Sequence, residues 1–208
     1  MEILLARHGN TFEAGETTVW VGKTSDPPLT AEGEAQAHRV GAALRRQRFM
    51  PDAIFCSTLQ RTRRFALIVV DEIAADDTAV VDPRLDEIDY GDWTGLSNAE
   101  IAARPDWRDE LKAWNDKGIW PKSANWPDTE AEIAGRVESL LAELTSRFPA
   151  KARVLLVTSN GVLRLFARVG GLAPEAAKMK TGLLGKLIVT KGAIAAAYWN
   201  RVPGEAPL

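Results

Sequence analysis

The chain has 208 residues, 46% of them hydrophobic and 26% charged, and a formal net charge of −2. This composition is typical of a soluble globular protein of one domain, and the small net charge argues against binding to nucleic acid or to an anionic membrane. The single cysteine excludes an internal disulfide and a multi-cysteine metal site. The apolar run near the N-terminus is too short for a signal peptide and no stretch could span a bilayer, so we expect a cytoplasmic protein.

The first half of the sequence alternates short apolar runs with helical patterns. Ile3-Leu4-Leu5 predicts a buried strand, and Thr30 is suited to cap a helix that reaches about Arg48. Residues 53–56 predict a second buried strand. We expect Ser57 or Thr58 to cap the helix that follows it, because both have short side chains that can accept from backbone N–H groups.

The second half continues this alternation and ends in a predicted hairpin. The elements that we expect are a weak strand at 80–81, a helix at 130–148, a strand at 154–157, a helix from Val162, and strands at 187–189 and 194–199 joined by a turn at Lys191-Gly192. Strands that alternate with helices predict a mostly parallel sheet covered on both faces. We therefore expect one α/β domain over residues 1–208, built as a three-layer α/β/α sandwich.

The segment at about 93–128 differs from the rest of the chain. It contains five of the seven tryptophans and no strand pattern, and we interpret it as a helical insertion over the carboxyl edge of the sheet. Its later tryptophans have two interpretations, a lid that gives apolar specificity or the core of the insertion. These tryptophans are Trp107, Trp114, Trp120 and Trp126. The core of the insertion is the favoured interpretation for at least two of the four.

Polar side chains follow each of the three clearest strands. The first strand ends at Arg7-His8-Gly9, the second is followed by Arg61 about one helical turn beyond its end, and the third by Ser159 and Asn160. The carboxyl ends of parallel strands share one edge of a sheet, where helix N-termini also present free N–H groups. Two arginines at that edge favour phosphate over a monocarboxylate, because the guanidinium fork matches phosphate geometry.

His8 is the residue on which any histidine chemistry depends, since the other histidine, His38, lies mid-helix and is expected to be exposed. A nucleophile, a general base, a metal ligand and a structural residue are all open interpretations. The adjacent Arg7 and the lack of a Cys or His cluster argue against a metal. Glu87 is a candidate acid that protonates a leaving oxygen, although acidic loops more often only face water.

Five blocks in order resemble the histidine phosphatase superfamily, also called phosphoglycerate mutase-like. The signature R-H-G-x-T is matched at residues 7–11 and S-x-L-x-R at residues 57–61. The other blocks are similar at residues 28–37, 85–93 and 157–164. The resemblance covers most of the chain.

This resemblance implies a phosphohistidine mechanism without a metal or another cofactor. His8 would attack phosphorus, Arg7 and Arg61 would hold the equatorial oxygens, and Glu87 would protonate the leaving alcohol and then assist water. The substrate would also contact Asn10, Thr11, Ser159 and Asn160.

The sequence departs from the family pattern at Ser159, where a second histidine is usual. Ala14 stands at the position of a usual Asn, and residues 127–129 replace a usual G-E-S stretch. A neutral hydroxyl in place of a charged donor weakens the hydrogen bond to phosphate by roughly 1–2 kcal/mol. If the usual histidine acts mainly on the transition state, the loss in rate could reach about 10²–10³-fold.

The leading hypothesis is a phosphatase that acts on a phosphorylated small molecule or a phosphoprotein. The alternative is a weakened or inactive module that binds a phosphorylated ligand, because of Ser159; a phosphoglycerate-type mutase is less favoured. The sequence leaves the oligomeric state open, including a homo-oligomer.

Overall fold

The computed structural model describes residues 1–76, 78–205 and 207–208, and six strands and six α-helices lie within those ranges. The strands are β1 (Glu2–Arg7), β2 (Ala53–Cys56), β3 (Val80–Val81), β4 (Arg153–Thr158), β5 (Leu184–Thr190) and β6 (Ala193–Arg201). The helices are α1 (Ala31–Arg46), α2 (Gln60–Glu72), α3 (Asn98–Ala103), α4 (Pro105–Lys117), α5 (Glu130–Arg147) and α6 (Asn160–Val169).

The strands form one sheet in the order β3-β2-β4-β1-β5-β6. The first four strands in that order are mutually parallel, whereas β5 runs antiparallel to β1 and pairs with β6 as a hairpin. The hairpin turns at residues 191–192, as the sequence predicts. β1 lies between β4 and β5, so its carboxyl end reaches the middle of the sheet edge.

The side chains of β1 alternate between two cores. Ile3 and Leu5 belong to a cluster that also contains side chains of α5 and α6, whereas Leu4 and Ala6 belong to a second cluster with side chains of α1 and α2. A strand that is buried on both faces needs such a continuous apolar run. The predicted α/β architecture with helices on both faces of a mostly parallel sheet is therefore confirmed.

One predicted helix cap is correct and the other is wrong. The Thr30 hydroxyl accepts from the N–H of Gly33 at 3.1 Å and caps α1. The cap residue of α2 is Leu59, not Ser57 or Thr58, and it provides no side-chain cap. The carboxylate of Asp26, from a distant loop, accepts the N–H of Gln60 at 2.9 and 3.0 Å instead.

The tryptophan-rich segment contains α3 and α4, as expected of a helical insertion, and its bounds at 93–128 remain a prediction. Trp107 and Trp114 are buried, and Trp120 and Trp126 pack against the same core while partly exposed. Within the described residues, no helix combines the length and the apolarity needed to cross a bilayer.

Candidate active site

A cleft of about 600 Å³ opens at the carboxyl ends of the central strands. Arg7 and His8 reach it from the end of β1, Arg61 from the first turn of α2, and Glu87 from the loop that follows β3. Open α/β sheets bind ligands at this edge. The structure therefore brings together the four side chains for which the sequence predicts catalytic roles.

His8 has a defined tautomer. Its Nδ1 lies 2.8 Å from the carbonyl oxygen of Gly9, which can only accept, so Nδ1 carries the proton and Nε2 keeps its lone pair. Burial, reinforced by the positive charges of Arg61 and Arg7, lowers the pKa of His8 well below its ordinary value. At neutral pH the imidazole is therefore uncharged, and one nitrogen is free to act as a nucleophile.

The backbone after His8 lies against the start of α1. A Cβ atom at Gly9 would stand 2.2 Å from the carbonyl oxygen of Gly33, so glycine is required at this close approach. The carbonyl of Asn10 accepts the N–H of Thr30 at 2.9 Å, and the N–H of Asn10 donates to the Gln36 side chain at 2.8 Å. These contacts fix the loop that carries the histidine.

Backbone carbonyls from two separate loops orient the two arginines. Arg7 Nη1 donates to the carbonyl of Met179 at 2.7 Å. Arg61 Nη2 donates to the carbonyl of Gly22 at 2.8 Å, and its Nη1 donates to that of Ser25 at 3.0 Å. Burial lowers the pKa of both guanidinium groups. Each remains cationic at neutral pH because the ordinary pKa of an arginine lies far above 7.

Glu87 is buried, and main-chain donors hold both of its carboxylate oxygens. Oε1 accepts from the N–H of Ile88 at 3.0 Å, and Oε2 accepts from the N–H of Gly161 in the first turn of α6 at 3.2 Å. The Tyr90 hydroxyl lies against the same carboxyl, and burial, reinforced by the neighbouring Glu87, raises the pKa of Tyr90 well above its ordinary value. The carboxyl thus has one orientation toward the cleft that it lines.

The four residues predicted to bind substrate lie in different positions relative to the cleft. Asn10, Thr11 and Asn160 line it. Asn10 Oδ1 also accepts a hydrogen bond from the Thr181 hydroxyl at 2.5 Å, and Asn160 Oδ1 accepts one from the N–H of Met179 at 3.0 Å. The Ser159 hydroxyl is fully buried, has no hydrogen-bond partner among the described residues, and is not part of the cleft wall.

Several residues of the cleft wall have no signal in the sequence. Trp20 lies in a polar loop without a periodic pattern, and its ring packs edge-on against Tyr90, with centroids 4.7 Å apart. Trp114 and Asn115 line the cleft from the end of α4, and Arg164 holds them there by donating to both carbonyls at 3.1 and 3.4 Å. Lys178 comes from the loop before β5, which has no sequence motif that would mark it.

Comparison with known proteins identifies the family of this chain. The model of the histidine phosphatase superfamily (branch 1) matches residues 3–200. The chain belongs to this superfamily. Its members named below include both mutases and phosphatases. Membership of the family therefore does not distinguish between these two activities.

Three relatives illustrate that range. A 2,3-bisphosphoglycerate-dependent phosphoglycerate mutase from Methylobacterium radiotolerans is 31% identical over 172 residues, which cover 80% of this chain and 77% of the mutase. A mycobacterial glucosyl-3-phosphoglycerate phosphatase bound to VO3 has a TM-score of 0.79 at 25% identity, with 96% of this chain and 98% of that chain covered. A structure called mycobacterial hydrolase 2 has a TM-score of 0.81 at 25% identity, covering 97% and 91%.

Gly161 gives a direct test of how the Glu87 carboxyl is positioned. A Cβ at this position would stand 2.4 Å from Glu87 Oε1 and 2.6 Å from the Tyr90 hydroxyl. We expect Gly161→Ala to displace the carboxyl and to lower kcat/KM for a phosphate monoester by about tenfold to a hundredfold, since a misplacement near 1 Å has that effect. Steady-state kinetics with 4-nitrophenyl phosphate and with an alkyl phosphate measure this loss.

Gly135→Ala is the matched control, because no atom lies within 4 Å of a Cβ at this exposed position of α5. It should leave kcat/KM unchanged and raise the free energy of unfolding by at most about 1 kcal/mol. Equal kinetics for Gly161→Ala and the wild type, with both proteins folded, would contradict the assigned position of the Glu87 carboxyl.

Proposed function

We propose that this protein is a phosphomonoesterase that hydrolyses a phosphorylated small molecule through a phosphohistidine intermediate on His8. The observation that carries the proposal is the neutral imidazole of His8, with Nε2 free, in a cleft that also contains Arg7 and Arg61. A neutral nitrogen nucleophile beside two fixed cations suits attack on a phosphate dianion, whose charge the cations offset.

In the first step, His8 Nε2 attacks phosphorus in line with the leaving oxygen. The N–P bond forms as the P–O bond breaks, and the Glu87 carboxyl gives its proton to the departing alcohol. Arg7 and Arg61 hold the equatorial oxygens, which carry the charge in the transition state. The hydrogen bond from Nδ1 to the Gly9 carbonyl keeps the ring oriented and supports the positive charge that the ring gains.

In the second step, water attacks the phosphorus of the phosphohistidine. Glu87, now a carboxylate, takes the proton from that water, the N–P bond breaks, and inorganic phosphate leaves. His8 returns to its neutral form and Glu87 to its protonated form, so the cycle closes without another reactant.

The charges around the cleft favour a phosphatase over a mutase. Beyond Arg7 and Arg61, Lys178 is the one further cation among the described residues of the wall, whereas the exposed residues Glu13, Glu16 and Glu32 also line the cleft. A bisphosphorylated acid would carry several negative charges past these carboxylates, which is unfavourable.

The apolar part of the wall indicates the kind of alcohol that the site would accept. Phe12, Val19, Trp20 and Trp114 line the cleft together with the polar residues. Such surfaces favour an alcohol with an apolar or aromatic part over a small, highly charged acid. We therefore place the substrate among monophosphate esters of neutral, partly apolar alcohols.

Two measurements test the proposed function. The protein should release inorganic phosphate from 4-nitrophenyl phosphate and from a panel of monophosphate esters without added 2,3-bisphosphoglycerate. With 3-phosphoglycerate and 2,3-bisphosphoglycerate, it should not interconvert the 2- and 3-phosphates faster than it releases phosphate. Faster interconversion would instead assign it as a mutase, and phosphate binding without turnover would assign it as the binding module that the neutral Ser159 suggests.

A further inference from the structure

We infer that Lys178 is a third cation that binds the transferred phosphoryl group, an inference that rests on the phosphatase activity proposed above. Lys178 lines the same cleft as His8, Arg7 and Arg61. The charge in the transition state spreads over three equatorial oxygens, and the two arginines are the other cations of the described wall. The Ser159 hydroxyl, which carries no charge, cannot supply this attraction.

Site residues hold the loop that carries Lys178 on its C-terminal side. The carbonyl of Met179 accepts from Arg7 Nη1 at 2.7 Å, and its N–H donates to Asn160 Oδ1 at 3.0 Å. The N–H of Gly182 donates to the Arg7 carbonyl at 3.1 Å. Met179, the residue after Lys178, is thus hydrogen-bonded to the Arg7 guanidinium group, which we assign to phosphate binding.

The residue before Lys178 is fixed as well. The carbonyl of Ala177 accepts from Trp199 Nε1 of β6 at 3.0 Å. With both neighbours anchored, the backbone of Lys178 keeps its place at the cleft, and the side chain is only partly exposed. The backbone of Lys178 therefore needs little reordering when a phosphate binds, while its flexible side chain can adjust to reach the anion.

The electrostatics of Lys178 agree with this position. Partial burial lowers the pKa of Lys178 below that of an ordinary lysine. The nearby positive charges of Arg164 and Arg7 lower it further. Among the described residues, no carboxylate forms an ion pair with the Lys178 ammonium. An anion bound in the cleft that Lys178 and Arg7 both line would relieve the repulsion between these two cations.

The test compares Lys178→Met with Lys180→Met. Lys180 is two residues away, is exposed, and is not part of the cleft wall, so it serves as a matched control of equal charge. We expect Lys178→Met to lower kcat/KM for 4-nitrophenyl phosphate and the affinity for inorganic phosphate by about tenfold to a hundredfold each, as for a lost charged hydrogen bond. Both probes lack a second anionic group, so a loss reports on the phosphoryl group itself.

The pH dependence provides a readout that a purely structural role would not change. A lysine with a lowered pKa loses its charge at a lower pH than usual, so phosphate affinity of the wild type should fall as the pH rises through that pKa. Lys178→Arg keeps its charge there. It should retain most of the neutral-pH affinity and lack this alkaline fall.

Several outcomes would overturn the inference. It fails if Lys178→Met binds phosphate as tightly as the wild type by calorimetry, if Lys180→Met loses as much, or if Lys178→Arg shows the same alkaline fall. Should the wild type show no turnover above His8→Ala, the proposed function fails, and the phosphate affinities of the lysine variants still decide the role of Lys178.

Discussion

Replacing His8 by alanine is expected to reduce phosphate release to the uncatalysed level, a loss of about 10⁴–10⁶-fold in kcat. The free Nε2 lone pair of His8 is the nucleophile in our proposal, and no other imidazole lines the described cleft. Arg7, Arg61 and Glu87 remain in the variant, so phosphate binding should persist. Initial rates with 4-nitrophenyl phosphate and calorimetry with inorganic phosphate measure the two properties separately.

His38→Ala is the natural control for this experiment. His38 is exposed on α1, where its Nδ1 lies 2.8 Å from the Glu72 carboxylate, and it is not part of the cleft wall. The control should keep the wild-type kcat and KM. A His8→Ala protein that retains more than about a hundredth of the wild-type kcat would show that His8 is not the nucleophile.

Glu87→Gln is expected to lower kcat/KM by about 10²–10⁴-fold for alkyl phosphates, the usual contribution of a general acid. An alkoxide is a poor leaving group and needs the proton that Gln cannot give. The loss should be much smaller for 4-nitrophenyl phosphate, because its phenolate leaves without protonation. A plot of log kcat/KM against the pKa of the leaving alcohol should therefore be steeper for the variant than for the wild type.

Glu16→Gln is the control for this second variant, since Glu16 is an exposed residue that lines the same cleft. It should leave the slope of that plot unchanged. If Glu87→Gln lost the same factor with every leaving group, Glu87 would have a role in binding or folding and not in proton transfer.

The parts of the site that could be predicted from sequence are local. β1 is an apolar run that ends directly in Arg7 and His8, so one stretch of chain determines both the strand and the residues at its end. The hydroxyl of Thr30 lies three residues before the N–H that it caps. Short-range relations of this kind are visible in the sequence itself.

The parts that could not be predicted depend on contacts between distant segments. Ser57 and Thr58 are good cap residues by type, but a carboxylate more than thirty residues earlier, that of Asp26, serves the end of α2. Lys178 enters the cleft because Arg7 and Asn160 hold its loop through main-chain atoms, which leave no signal in side-chain type. Trp20 likewise joins the aromatic cluster through tertiary packing alone.

The tryptophans show why residue type alone left two interpretations open. Trp114 and Trp126 have ring centroids 5.0 Å apart, and Trp93 packs against Trp126 at 5.3 Å, so these rings form a connected core. Trp114 also lines the cleft. One side chain thus belongs to the core of the insertion and to the cleft wall, which a choice between core and lid does not anticipate.

Trapping the covalent intermediate tests the central claim most directly. Glu87→Gln should form phosphohistidine from 4-nitrophenyl phosphate faster than it hydrolyses it, because the carboxylate that activates water is absent. Rapid quenching under alkaline conditions, followed by peptide mass spectrometry, should locate one phosphoryl group on His8, and none in the His8→Ala/Glu87→Gln double variant. Turnover of this substrate by the wild type without any phosphoryl group on His8 in the trapped variant would contradict the mechanism.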